Sequence, residues 1–189
     1  MSNNDFDQIL SQIGAGERAS SKLMDMLYAE LREMAGRLMK RERGDHTMQP
    51  TALVHEAFLR LVNADKVGEQ GQLHFLDAAA VTMRRVLVDH ARAAGAAKRG
   101  GGEQRNRITL QAIGDSGSNQ DVDILTLHTA LKELSGLDER QAKIVELRFF
   151  GGMSGKQIAE HFAVSRNTIV RELTLARAWL RRRIAKLDG

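Results

Sequence analysis

From Ser20 to about Arg43 the apolar residues Leu23, Met24, Leu27, Leu31, Met34, Ala35 and Leu38 recur at steps of three and four. That spacing lines one face of an α-helix and predicts a long amphipathic helix ending near Gly44 and Asp45. A second helix is expected to open on Pro50, whose missing N–H is no loss in a first turn. It carries Leu53, Val54, Ala57, Phe58 and Leu61, and Asn63 to Gly71 predicts a loop. A third helix, from about Leu73 through Ala97, places Leu76, Ala80, Met83, Leu87 and Ala91 on a buried side. Gly100, Gly101 and Gly102 end it, and the Gly-, Ser-, Asn- and Asp-rich stretch through Gln120 predicts a flexible connector. Helical periodicity resumes with Ile124, Leu125, Leu127, Leu131 and Leu134, and a break is expected at Ser135 and Gly136.

From Asp138 onward three helix starts each bring a cap. Asp138 with Gln141 and Ser154 with Gln157 have capping-box spacing, and Ser165 offers a hydroxyl to the amides that follow it. Gly151 and Gly152 close the helix from about Glu139 to Phe150. A short helix, Gly155 to Phe162, then leads through Ala163 and Val164 into a long one from Arg166 to about Lys186. This is a helix-turn-helix outline, with Ala159 small enough for a helix crossing and Ile169 anchoring the second helix inward. The expected fold is all-α. It comprises an N-terminal extension (1–19), a three-helix domain (20–99), a flexible linker (100–121) and a small helix-turn-helix domain (122–189).

Composition agrees with helices: one proline and 4% aromatic residues, in a chain of 189 that is 42% hydrophobic and 28% charged. The net charge of +4 says less than its distribution. Between Arg84 and Arg107 seven Lys or Arg face only Asp89 and Glu103, and from Ser165 to Gly189 seven face only Glu172 and Asp188. The segment between them is acidic. The absence of cysteine excludes disulfides and thiolate metal sites and fits a reducing cytosol. No run approaches a membrane span or an export leader, so a cytoplasmic protein without membrane insertion is expected.

A helix that enters the major groove reads bases with the polar side chains at its N-terminal end. Here these are Arg166, Asn167, Thr168 and Arg171. Arg suits the two acceptors of guanine, Asn suits adenine, and Glu172 is a candidate acceptor from cytosine. Arg177, Arg181, Arg182 and Arg183 lie farther along, placed for phosphates or solvent. The plainer alternative is a solvated basic face. In the third helix Arg84, Arg85 and Arg92, followed by Lys98 and Arg99, can track a phosphate backbone or a separated strand, or equally be a solvated face. Catalytic motifs fail on inspection. His55 and Glu56 begin like a helical zinc-protease motif, but Leu59 stands where the second histidine is needed. The other histidines have no ligand spacing, no Lys-Ser/Thr follows the glycines at 100–102, and Asp89 with His90 reads as two polar side chains facing solvent rather than as a catalytic dyad. No enzyme, metal or cofactor is expected.

The strings QPTALVHEAFLRLV, HFLDAAAVTMRRVLVDHARAAGAAKRGGG and LDERQAKIVELRFFGG, followed by the helix-turn-helix, resemble a branch of the extracytoplasmic-function sigma factors over about Ser20 to Lys186. The resemblance implies that the first domain is region two, which docks on the clamp helices of the largest subunit of RNA polymerase and opens the promoter near the start site. It implies that the second is region four, reading the upstream element as duplex and contacting the polymerase flap. By position, Leu53, Val54, His55, Glu56, Phe58 and Arg60 match the core-binding helix, and Arg84, Arg85, Asp89 and Arg92 match the segment that holds the non-template strand. Thr51 and Ala52 stand where many relatives carry acids, Arg85 where many carry Asn, and Val170 where many carry a basic residue. An anti-sigma protein is among the partners the resemblance allows. A free-standing regulator that binds an operator is the main alternative, and it leaves the long basic third helix without a task.

Overall fold

The computed structural model describes residues 17–39, 48–63, 71–97, 107–109 and 121–188. Three helices come first: α1 (Glu17–Met39), α2 (Pro50–Asn63) and α3 (Gly71–Ala97). The expected end of the first helix near Gly44 and Asp45 lies outside the described residues, as do Lys98 and Arg99. Helix α2 packs against α1 on one side and α3 on the other. Leu27, Leu31, Met34, Ala35 and Leu38 of α1 are buried with Leu53, Val54, Ala57 and Leu61 of α2, as the three- and four-residue spacing predicts. Helix α3 departs from a single apolar stripe. Besides Leu76, Ala80, Met83, Leu87 and Ala91 it buries Phe75, Ala79, Val86 and Val88. The reason is packing: α3 meets α2 on one flank and two helices of the following group on another.

Two three-residue strands follow, β1 (Arg107–Thr109) and β2 (Asp121–Asp123), paired antiparallel with Ile108 opposite Val122. Residues 107–109, inside the connector expected to be flexible, thus pair with residues at its C-terminal end in a short ribbon. Val122 is fully buried, so burial of one apolar residue pins the crossing point. A pattern of three alternating residues is too short for periodicity to reveal.

The remaining helices are α4 (Ile124–Leu137), α5 (Glu139–Phe149), α6 (Gly155–His161) and α7 (Arg166–Asp188). Helices α4, α5 and α6 all pack on α7, whose Ile169, Leu173, Ala176, Leu180 and Ile184 are buried. The expected break at Ser135 and Gly136 does not occur. Helix α4 runs on to Leu137, because the boundary is set by Asp138, whose extended backbone ends α4 and caps α5. A glycine in a last helical turn is tolerated where nothing presses on it, and the space around Gly136 is open.

The caps form as predicted, with one refinement. Ser154 and Gln157 make the complete reciprocal box. Asp138 instead accepts twice from Gln141, from its amide at 2.9 Å and its side chain at 2.8 Å, while the Asp138 amide donates to the Leu134 carbonyl. Ser165 Oγ accepts from the Thr168 amide at 3.1 Å, starting α7. In the turn between α6 and α7 Ala163 adopts φ 52°, a left-handed conformation that disfavours any residue with a Cβ. Ala163→Gly is therefore expected to raise stability by about 0.5–1 kcal/mol, measured by urea unfolding, because relief of the left-handed strain exceeds the added freedom of the unfolded chain.

Candidate nucleic-acid interface

The turn and the Ser165 cap fix where the first residues of α7 point. Arg166, Asn167, Val170 and Arg171 are exposed, whereas Ile169 between them is completely buried and holds the helix in place. Thr168 is half-buried and its hydroxyl is 2.9 Å from Ser165 Oγ, so it braces the cap. Glu172 corrects the sequence reading. It turns toward α5 and pairs with Arg140 at 3.0 Å, and that guanidinium also sits 5.4 Å from the centre of the Phe162 ring. The carboxylate is engaged in bracing α7 against α5 rather than offered to a base. No cation stands three or four residues from Glu172 along the helix, and Arg140 lies 32 residues away, so only the fold reveals the pair.

The later arginines divide. Arg181 and Arg182 are exposed and free to meet phosphates, while Arg177 is half-buried. Arg183, expected to face phosphates or solvent, instead donates from two nitrogens to Glu133 of α4. That pairing holds the Glu133 carboxyl below the usual carboxylate range and raises the guanidinium of Arg183. A sequence pattern cannot separate Arg181, Arg182 and Arg183, because the separation depends on which of three consecutive directions faces α4.

On α3 the expected basic face also divides. Arg85 and Arg92 are exposed. Arg84 is not: its Nε donates to Glu146 of α5 at 2.5 Å, and its Nη1 lies 2.6 Å from Nδ1 of His128 on α4. Asp89 accepts from Arg60 of α2 at 2.8 Å, and Arg60 also donates to Glu56 at 2.7 Å. These two hydrogen bonds, Asp89 first, raise the pKa of Arg60 further.

On α2, Leu53 and Val54 are buried against α1 and α3 and are unavailable to another protein. Phe58 is half-buried, edge-on to Tyr28 at 5.9 Å. The surface that α2 offers is Thr51, Ala52, His55, Glu56 and Leu59. Leu59, half exposed at 52%, was missed by motif reading, where it figures only as a failed zinc ligand. An exposed leucine one turn from His55 and Glu56 was the available signal. Among the described residues no group of histidines and acids is placed to hold a metal.

His128 brings pH into this region. Burial first, then the cations of Arg84, Arg92 and Lys132, push its imidazole below the ordinary 6.5, with Asp89 pulling weakly the other way. The neutral ring then accepts from Arg84. Because the folded value lies under the unfolded one, the unfolded chain binds more protons between the two. The contribution of His128 is complete above about pH 6.5 and shrinks as pH falls toward the folded value. Wild-type protein is expected to lose more stability than His128→Asn on going from about pH 7.5 to about pH 5.5, read by urea unfolding at each pH.

A helix-turn-helix alone serves many regulators; the whole-chain comparison decides between them. The family model for ECF sigma factors matches residues 3–186. The chain belongs to the ECF sigma factor family. No curated protein matches it in sequence. As a sigma factor it acts in transcription initiation, with core RNA polymerase and promoter DNA as partners. Among the described residues of this sigma factor no helix is long and apolar enough to cross a membrane.

Proposed function

We propose that residues 20–99 of this sigma factor are region two, that residues 122–189 are region four, and that residues 100–121 connect them. In this reading region four recognises the upstream promoter element as duplex through Arg166, Asn167 and Arg171, with Arg181 and Arg182 on phosphates. Region two docks on the polymerase clamp through the exposed face of α2, His55, Glu56 and Leu59 in particular, and region four also meets the flap. Arg85 and Arg92 hold the separated non-template strand, and Lys98 and Arg99 add to its contacts with phosphates. A basic groove suits melting, since unpairing costs a few kcal/mol per base and a captured strand returns part of it. The protein works in the cytoplasm, where polymerase is, and an anti-sigma protein is a further proposed partner.

The observation that carries this reading is the coexistence, in one chain, of an exposed polar leading edge on α7 and a second basic helix, α3. A free-standing operator binder uses the first and has no task for the second. The test is reconstitution with core polymerase on genomic DNA. The expected result is co-purification with core and transcripts from defined start sites, with poor promoter binding by the chain alone. Failure of both co-purification and directed transcription sinks the proposal. Arg85→Ala is expected to spare closed binding on duplex and slow opening, a defect that a pre-melted template relieves.

A further inference from the structure

The first two turns of α7 divide sharply between core and solvent. At about 100° per residue, Arg166, Asn167, Val170, Arg171 and Thr174 fall within one arc of about 140°. All five are exposed, while Ile169 and Leu173 on the other side are buried. Val170 and Thr174, one turn apart, stand near the middle of that arc. Val170 is 53% exposed, and the Thr174 hydroxyl donates to the Val170 carbonyl at 2.8 Å. With its hydroxyl engaged by the backbone, Thr174 has its methyl left for a partner. The middle of the leading edge is therefore apolar, and its flanks, Arg166, Asn167 and Arg171, are polar.

Neither the core nor the helix accounts for this valine. A β-branched residue forms helix less readily than Ala, Arg or Lys, and half of this one faces water. A lone exposed apolar residue is ordinary on a protein surface, but this one stands among the side chains placed to read bases. In the major groove guanine, adenine and cytosine present polar edges, and thymine alone presents an apolar group, its C5 methyl. An amino group of adenine or cytosine packed on Val170 would lose its water and gain no acceptor. The thymine methyl loses nothing there. Valine is also stiff about χ1, so holding it against a base costs little side-chain freedom.

We propose that Val170, with the Thr174 methyl beside it, is a specificity-determining residue that packs on the C5 methyl of a thymine in the upstream duplex. The inference rests on the reading of α7 as the helix that enters the major groove. It adds a second kind of recognition to that helix. Arg166, Asn167 and Arg171 read hydrogen-bonding groups, and Val170 reads the presence of a methyl. Burying one methyl group strengthens binding by about fourfold. Cytosine, a pyrimidine without the methyl, loses that contact and leaves an amino group unpaired as well.

The test uses a random-sequence duplex library selected on the full-length chain, once in complex with core polymerase and once alone at low salt, where phosphate contacts hold weak complexes. Each thymine of the enriched element is then replaced in turn by deoxyuridine, which keeps the base pair and removes only the methyl. At one position the replacement is expected to weaken wild-type binding by about fourfold. Val170→Ala, a change outside the core, is expected to bind thymine and uracil alike at that position. Arg171→Ala is expected to bind the whole element more weakly and to keep the thymine preference, since the two contacts are separate. The role of Val170 is overturned if no uracil replacement matters, or if the uracil penalty is the same in Val170→Ala as in the wild type. Either result leaves directed transcription untouched. Failure to co-purify with core polymerase sinks the assignment of regions, and the selection on the chain alone still reports on Val170. An enriched element in neither selection overturns the groove-entering role of α7 and that of Val170 with it.

Discussion

Phe150→Ala is expected to destabilise the chain by about 3–5 kcal/mol, the usual cost of removing a fully buried ring. Phe150 is 1% exposed at the end of α5, and its ring meets Phe149 edge to face at 4.8 Å. With eight aromatic residues in the whole chain, few other side chains are large enough to fill the vacated space. The substitution also undercuts the Gly151–Gly152 turn that follows directly and leads into the helix-turn-helix. Urea unfolding reads the effect as a lower midpoint at unchanged slope. Leu175→Ala, at a residue 57% exposed on α7, is the control and is expected to move stability by less than about 0.5 kcal/mol.

Arg171→Ala is expected to weaken recognition of the upstream promoter element by about 1–3 kcal/mol, roughly five- to 150-fold, the discrimination that one bidentate base contact supplies. Arg171 is exposed on the leading edge of α7, one residue beyond the exposed Val170 and two beyond the buried Ile169. The measurement is holoenzyme binding to a duplex carrying the native upstream element and to one with that element scrambled. The loss belongs to the native element and shrinks on the scrambled one. Glu172→Ala, by contrast, is expected to act through stability, because it leaves Arg140 without its carboxylate partner.

Much of the helical architecture was legible in the amino-acid sequence, because it rests on local rules. Apolar spacing placed α1 and α2, and side-chain caps placed the starts of α5, α6 and α7 to the residue. Periodicity faltered where tertiary packing takes over. Helix α3 is buried on more than one flank, so its single predicted stripe was too narrow. The ribbon of Ile108 and Val122 joins residues separated by the connector, and no local pattern announces it. For the candidate site, residue type marked charged helices but could not tell which charge is held by a neighbour within the fold. Arg84, Glu172 and Arg183 look like free ligands in sequence and are each held by a residue at least 32 positions away. Leu53 and Val54 likewise lie on the core side of α2, and the side open to a partner passes through Leu59 instead.

The bridge from Arg60 to Glu56 and Asp89 has a mechanical meaning. One guanidinium is shared between the helix proposed to dock on polymerase and the helix proposed to grip the separated strand. Two helices fastened at their outer faces and packed along a common core turn as one piece. In that proposal, whatever angle the docking surface imposes on α2 is handed to α3, so seating the one helix would aim the residues of the other.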